Sequence, residues 1–278
     1  MGTALITGAT AGIGLELAWQ LAQAHHDLVL VARDRARLET VAEELRQFAG
    51  VGVQILPADL SEPGDLARVA ERARVSQPDA DLPIAVAAAD AGTVIASPAA
   101  SPTGPAASPT GPATAAGPAA SPAGPPSDHL HTTAEVETRP IDLLVNNAGF
   151  AVGQDFVSGS IEQERRALAV MVGAVMELTH AAVPGMVARG HGAVLNVASV
   201  TALTAMGTYA AHKAWVRTFT EGLASELRGT GVTATVLNPG LTHTEFHARA
   251  AMDESAWPAF VWLQADDVAR QALDAVRR

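Results

Sequence analysis

Tyr209 is the only tyrosine in this 278-residue chain, and Lys213 follows it four positions later in GTYAAHKAWVRTFTEGLASEL. The segment repeats apolar residues with a helical period, Tyr209, Trp215, Phe219 and Leu223 among them. Positions i and i+4 share a helix face, so the phenol and the ammonium are neighbours. An ammonium beside a phenol favours the phenolate and lowers a pKa that starts near ~10. Such a group can take a proton from an alcohol or give one to a carbonyl, which is the proton transfer that reversible carbonyl reduction requires. A Tyr-x-x-x-Lys pair by itself is weak evidence, because an idle helix surface carries such pairs too. Here it comes after a Ser-bearing strand, GAVLNVAS, and after Asn146-Asn147-Ala148-Gly149.

The elements that would position this pair begin with Ala4 to Arg33. ALIT reads as a short buried strand, GATAGIG as a turn, LELAWQLAQA as a helix and LVLVA as a second strand. Strand, turn, helix, strand is one βαβ unit, whose handedness implies a parallel sheet. Gly8, Gly12 and Gly14 let the backbone turn sharply and bring bare N–H groups up to a ligand's pyrophosphate, at the positive end of the following helix. The spacing is G-x-x-x-G-x-G rather than G-x-G-x-x-G, and no Lys-Ser/Thr follows to make a P-loop. Further along, residues 35–48 read as a helix, VQILPADL as a third strand ending at Asp59-Leu60, IDLLVNNAG as a fourth and GAVLNVAS as a fifth. A long helix is expected from Glu162 to about Ala182, with Pro184 interrupting it near its end.

Between about 76 and 138 the chain turns rich in Pro, Ala, Ser and Gly. AASPTGP stands at 99–105 and again at 106–112, with AASPAGP at 119–125. Prolines at this density favour extended, solvated backbone, and little apolar surface offsets the ordering entropy, so 97–127 is predicted to be disordered. A tether is preferred over a ligand for a proline-recognising module, because no positive charge flanks the repeats. DLPIAVAAADAGTVIAS, just before them, has no clear assignment. Lying between a helix end and a strand start, the insertion is expected at the sheet edge remote from the chemistry. The remainder reads as one domain spanning 1–278, a doubly wound parallel α/β sheet of Rossmann type with about six strands and helices on both faces.

Composition narrows the partners. Eighteen Lys and Arg against 29 Asp and Glu give a net charge of −11, which argues against nucleic acid and anionic membranes. There is no cysteine, no visible leader and no apolar run of transmembrane length, so a soluble cytoplasmic protein is the expectation.

TGATAGIG, Asp59-Leu60, NNAG, Ser199, Tyr209 with Lys213, and Pro239-Gly240 with Thr244 together resemble the short-chain dehydrogenase/reductase family, across nearly the whole chain outside the insertion. The resemblance implies a nicotinamide cofactor that supplies the hydride, a carbonyl or secondary alcohol substrate, and a homodimer formed through helices 162–182 and 208–228. Tyr209 would be the acid/base, Lys213 would hold the ribose hydroxyls and lower the phenol's pKa, and Ser199 would polarise the substrate oxygen. Gly8, Thr10, Gly12, Ile13 and Gly14 would cradle the cofactor, Asp59 and Leu60 its adenine, and Asn147, Ala148 and Gly149 its nicotinamide ribose. Pro239, Gly240, Thr242 and Thr244 would meet the nicotinamide. Ala32 stands where an acidic residue would bind the adenosine ribose, and Arg33 follows it, which favours NADP over NAD.

Three features depart from the family. Met171 falls where its active-site asparagine would be, and a thioether cannot orient a relay water as an amide can. Ser199 precedes Tyr209 by ten residues rather than about thirteen; Asn196 sits at the longer spacing but inside the strand pattern, so a shortened loop is the preferred explanation. No seventh strand follows ADDVARQALDAVRR, which leaves one sheet edge uncapped. These features motivate the alternative of a cofactor-binding sensor or interaction protein with little catalysis. His243 and His247 near Glu245 lack a third metal ligand and read as polar residues of a substrate lid, with no metal. Trp257, Phe260 and Trp262 would cover the pocket and bias the substrate towards apolar molecules.

Overall fold

The computed structural model describes residues 2–75, 92–95, 132–245 and 258–277. Its strands are β1 (Thr3–Thr7), β2 (Asp27–Ala32), β3 (Val53–Pro57), β4 (Gly92–Ile95), β5 (Leu143–Asn146), β6 (Gly192–Val197) and β7 (Val232–Asn238). Its helices are α1 (Gly12–Gln23), α2 (Arg35–Ala49), α3 (Pro63–Arg74), α4 (Thr133–Thr138), α5 (Ile161–Leu168), α6 (Ala174–Arg189), α7 (Gly207–Glu226) and α8 (Ala265–Val276).

The strands form one parallel sheet in the order β3-β2-β1-β5-β6-β7-β4. From β1 the chain winds outward to β3, crosses to the far edge at β4, then comes back to β5 on the other side of β1 and winds the opposite way through β6 and β7. That reversal opens a crevice at the carboxyl ends of β1 and β5. Alternation along β1 builds both faces. Ala4 and Ile6 join a core with Leu17, Leu38, Leu45, Val268 and Leu273, whereas Leu5 points to a second core with Leu66, Val69, Leu178 and Met186.

Local chemistry sets the helix ends. Asp34 caps α2 by accepting from the Arg37 amide at 3.0 Å, and Gly50 ends it in the left-handed conformation with φ 62°. Thr132 and Glu135 form a capping box on α4. α1 differs: Ala11 at its N-cap has no side-chain cap, and no acidic residue occupies its first turn.

Several expectations change. β4 comes from inside the insertion and pairs with β7, so the edge expected to be bare carries a seventh strand. Ile95 is in register with Asn238, next to Pro239, so the insertion leaves β4 at the carboxyl edge and not at the remote one. The capped helix α4 lies within the stretch assigned to the insertion, and its Val136 is fully buried. The predicted disorder of 97–127 falls outside the described residues. Pro184 does not end its helix; α6 runs to Arg189, with Ala181, Ala182 and Met186 buried around it. Packing there compensates the hydrogen bond a helical proline loses. A π-helical turn, Ala169–Gly173, joins α5 to α6. The continuous stretch Ile161–Arg189 is, by length and composition, apolar enough to cross a membrane, contrary to the reading of short apolar runs; half of its most apolar window is buried in the fold.

Candidate active site

The glycine turn is held from β5. Thr7 Oγ1 accepts from the amides of Asn147 and Ala148, each at 3.0 Å, and donates to the Val145 carbonyl at 3.3 Å. Asn147 Nδ2 donates to the carbonyls of Thr7 (3.0 Å) and Gly8 (3.2 Å). Gly14 is needed for this closeness: a Cβ there would lie 2.3 Å from Asn147 Nδ2 and 2.4 Å from the Gly8 oxygen. Gly8 and Gly12 take φ of 67° and 53°, where a side chain is strained. A Cβ on Gly12 would come within 2.9 Å of the Thr244 methyl, so the loop after β7 rests against the turn. The Asn147 side chain is thus committed to joining the two central strands, which leaves the backbone of the NNAG turn for a cofactor.

Continuing along the crevice, Gly149 packs on the other half of the site. A Cβ there would stand 3.4 Å from Lys213 Nζ and 3.5 Å from Met171 Sδ. Lys213 is only 4% exposed and donates to the Val197 carbonyl at 2.6 Å. Burial lowers its pKa to about 8. Its Nζ lies 5.8 Å from the centroid of the Tyr209 ring. The Tyr209 and Ser199 hydroxyls are hydrogen-bonded, and a short 3₁₀ helix, Val200–Leu203, spans the reduced spacing between them. Ser199 caps this helix by accepting from the Thr201 amide, and Val200 donates to the Pro239 carbonyl at 3.0 Å. The shorter loop therefore still brings serine and tyrosine together.

One electrostatic expectation is reversed. Burial pushes the Tyr209 phenol up to about 12; the Ser199 hydrogen bond pulls the other way and does not overcome it. Desolvation is the larger effect on the phenol, and the same burial lowers the pKa of the neighbouring amine. At neutral pH the phenol is a proton donor.

Asn196 is fully buried in β6, linked to Asn146 Nδ2 at 2.9 Å and to Thr220 Oγ1 at 2.9 Å. It belongs to a core polar network, as its place in the strand pattern suggested. Leu60 is 6% exposed and packs in the core with Leu66, so only its backbone is left for a ligand. Asp59 Oδ1 accepts from the Ser61 amide (3.0 Å) and hydroxyl (2.6 Å), while Oδ2 pairs with Arg166 of α5. Burial alone would raise its pKa, but Ser61 and then Arg166 hold it below the usual carboxylate range. Thr242 is buried and donates to the Gly240 carbonyl at 3.0 Å. Ile13 packs against the core, and Thr10 is half-buried on the turn. Arg33 is exposed at the end of β2.

Residues that sequence reasoning missed are the long-range partners. Thr7, Arg166 and the pair Arg37–Glu245 carry no local pattern that would single them out. Of the residues read as a lid over 243–262, only some are described. His243 stacks on Trp262 with centroids 4.7 Å apart, Trp262 is buried, Phe260 is exposed, and His247 and Trp257 lie outside the described residues.

The residues present fit a dinucleotide. An uncapped helix N-terminus, glycines without Cβ atoms and an exposed arginine at the end of β2 provide for pyrophosphate and adenosine groups.

Comparison with known proteins agrees. A family profile described as short chain dehydrogenase matches residues 2–100 and 127–255. An NADP-dependent 3-hydroxy acid dehydrogenase, YdfG of Salmonella typhi, is 27% identical over 247 residues, 87% of this chain and 73% of the relative. Among solved structures, a short-chain dehydrogenase from Sphingobium yanoikuyae in complex with NADPH is 30% identical, with a TM-score of 0.73, covering 100% of this chain and 85% of that one. The bulky-bulky ketone specific alcohol dehydrogenase from Comamonas testosteroni is 25% identical, with a TM-score of 0.69, covering 100% and 83%.

Proposed function

Because the chain belongs to the short chain dehydrogenase family, we propose that it is an NADP-preferring oxidoreductase, a carbonyl reductase or alcohol dehydrogenase acting on an apolar carbonyl or secondary alcohol. The observation that carries this reading is the hydrogen-bonded Tyr209–Ser199 pair, backed by buried Lys213 and joined through Gly149 and Asn147 to the glycine turn. The nicotinamide, when bound, supplies or accepts the hydride. Ser199 would orient the substrate oxygen, and Tyr209, protonated at neutral pH, would give that oxygen its proton in the reductive direction. Lys213 would reach the ribose hydroxyls from behind the phenol.

NADP is supported by Arg33 following Ala32, by YdfG's NADP dependence and by the NADPH complex among the similar structures. The apolar substrate is supported by where the exposed large hydrophobics lie. Phe156 and Val157 follow β5, Leu203 and Met206 follow β6, and Phe260 follows β7, all on loops leaving the carboxyl ends. A ketone-specific neighbour agrees with that bias. A homodimer is supported by exposed Leu168 and Met176 and by the stacked Trp215–Phe219 pair, which lines a groove of about 340 Å³ on α7.

The test is a panel of aldehydes, ketones and secondary alcohols with NADPH or NADP, run beside Tyr209→Phe. The variant should lose turnover by about 10²-fold or more while binding NADPH with unchanged affinity. Equal turnover in the variant would end the mechanism. Saturable NADPH binding with no turnover on any substrate would favour a sensor.

A further inference from the structure

We infer that the Arg37–Glu245 ion pair is a second determinant of cofactor choice, in which Glu245 holds in reserve a cation that a phosphate on the adenosine ribose would recruit. This rests on the reading that a dinucleotide occupies the crevice above the glycine turn.

Arg37 lies in the first turn of α2, at the carboxyl end of β2, where this sheet topology places adenosine ribose. Its Nη1 donates to Glu245 Oε2 at 3.1 Å and its Nη2 to Oε1, a two-pronged grip between residues 208 positions apart. Glu245 adjoins Thr244, whose methyl sits against Gly12. The pair therefore spans the crevice, from the adenosine side to the loop after β7.

The other cations nearby are differently placed. Arg35 pairs with Glu39 along α2 at 3.6 Å, while exposed Arg33 has no partner among the described residues. A phosphate at the end of β2 would thus meet one available guanidinium and one already neutralised. The carboxylate both occupies the fork and repels the incoming dianion. Exchange is nonetheless easy, because the Arg37 and Glu245 side chains are 38% and 46% exposed and such ion pairs add little stability. Arginine's planar fork binds phosphate as readily as carboxylate. Releasing Arg37 would strengthen binding of a phosphorylated cofactor and leave the unphosphorylated one unaffected.

The experiment titrates NADPH and NADH, read by nicotinamide fluorescence, into wild type, Glu245→Gln and Arg37→Gln, with thermal melts to show that each variant is folded. Glu245→Gln keeps the size and a hydrogen-bonding side chain but removes the charge. Its expected effect is about 3- to 10-fold tighter NADPH binding, with NADH within about twofold. Arg37→Gln should weaken NADPH about 10-fold and leave NADH within about twofold. Equal shifts for both cofactors, or no gain for NADPH in Glu245→Gln, would overturn the inference while leaving the dinucleotide reading intact. A wild-type chain that bound neither cofactor would overturn both.

Discussion

Replacing Gly14 with alanine tests the geometry on which the site depends. The added methyl would lie 2.3 Å from Asn147 Nδ2 and 2.4 Å from the Gly8 carbonyl oxygen. Ordinary contact begins near ~3.5 Å, so one of these groups must retreat by about 1 Å. If Asn147 moves, its bonds to Thr7 and Gly8 are lost. Two partly buried hydrogen bonds contribute about 1–3 kcal/mol. Forcing a methyl into packed structure costs about 1–3 kcal/mol more. The sum, about 2–6 kcal/mol, corresponds to a fall in Tm of roughly 4–24 °C for a domain of this size. On the proposed reading the turn also holds the pyrophosphate, so NADPH affinity should fall at least about tenfold with it. Gly64 provides the control, because nothing lies within 4 Å of a Cβ built there. Gly64→Ala should be neutral, or stabilising by about 0.4–1 kcal/mol through the unfolded chain. Differential scanning fluorimetry with and without NADPH measures both. Gly14→Ala melting within about 2 °C of wild type, with unchanged affinity, would refute the argument that Asn147 locks the turn.

Two further outcomes follow from other parts of the structure. Lys213 carries a folded pKa of about 8 against roughly 10.4 in an unfolded chain, so below pH 8 the full cost of burying its charge is present. As pH rises from 8 to 10 the folded state sheds the proton first, and stability rises; above about 10, Tyr209, held protonated to about 12, reverses the slope. Lys213→Met should abolish turnover yet stabilise the fold at pH 7 by about 2 kcal/mol, after allowance for the lost bond to Val197. Chemical denaturation between pH 7 and 10 reads both the gain and the flattened slope, and a variant less stable than wild type at pH 7 would contradict the assignment. Excising 97–127 should leave Tm and NADPH affinity near wild type, whereas excising 77–131 also removes β4, bares the β7 edge and should lower Tm and promote aggregation. Indistinguishable behaviour of the two deletions would show that β4 contributes nothing.

Much of the site was legible because its signals are short-range. The glycine spacing, the i, i+4 phenol and amine, and the NNAG turn are statements about a few consecutive residues. Hydrophobic periodicity likewise placed five of the strands, since each strand and helix repeats on its own period. GTVI was missed because a four-residue strand in a Pro- and Ala-rich stretch carries too little pattern, and only pairing with β7 makes it one. Pro184 misled because the rule that proline ends a helix is local, and packing around α6 overrode it.

The sequence alone determined that this chain folds around a βαβ unit with a glycine-rich turn and carries a tyrosine and a lysine on one helical face. Tertiary structure decided what those groups are worth. Burial, which no local pattern reports, keeps the phenol protonated, and the Asn147 side chain is spent on the β1–β5 junction. Partners distant in the chain did the same for charge: Arg166 captured Asp59, and Glu245 captured Arg37. Backbone preferences act between near neighbours, whereas desolvation and ion pairing depend on which surfaces meet once the sheet has closed.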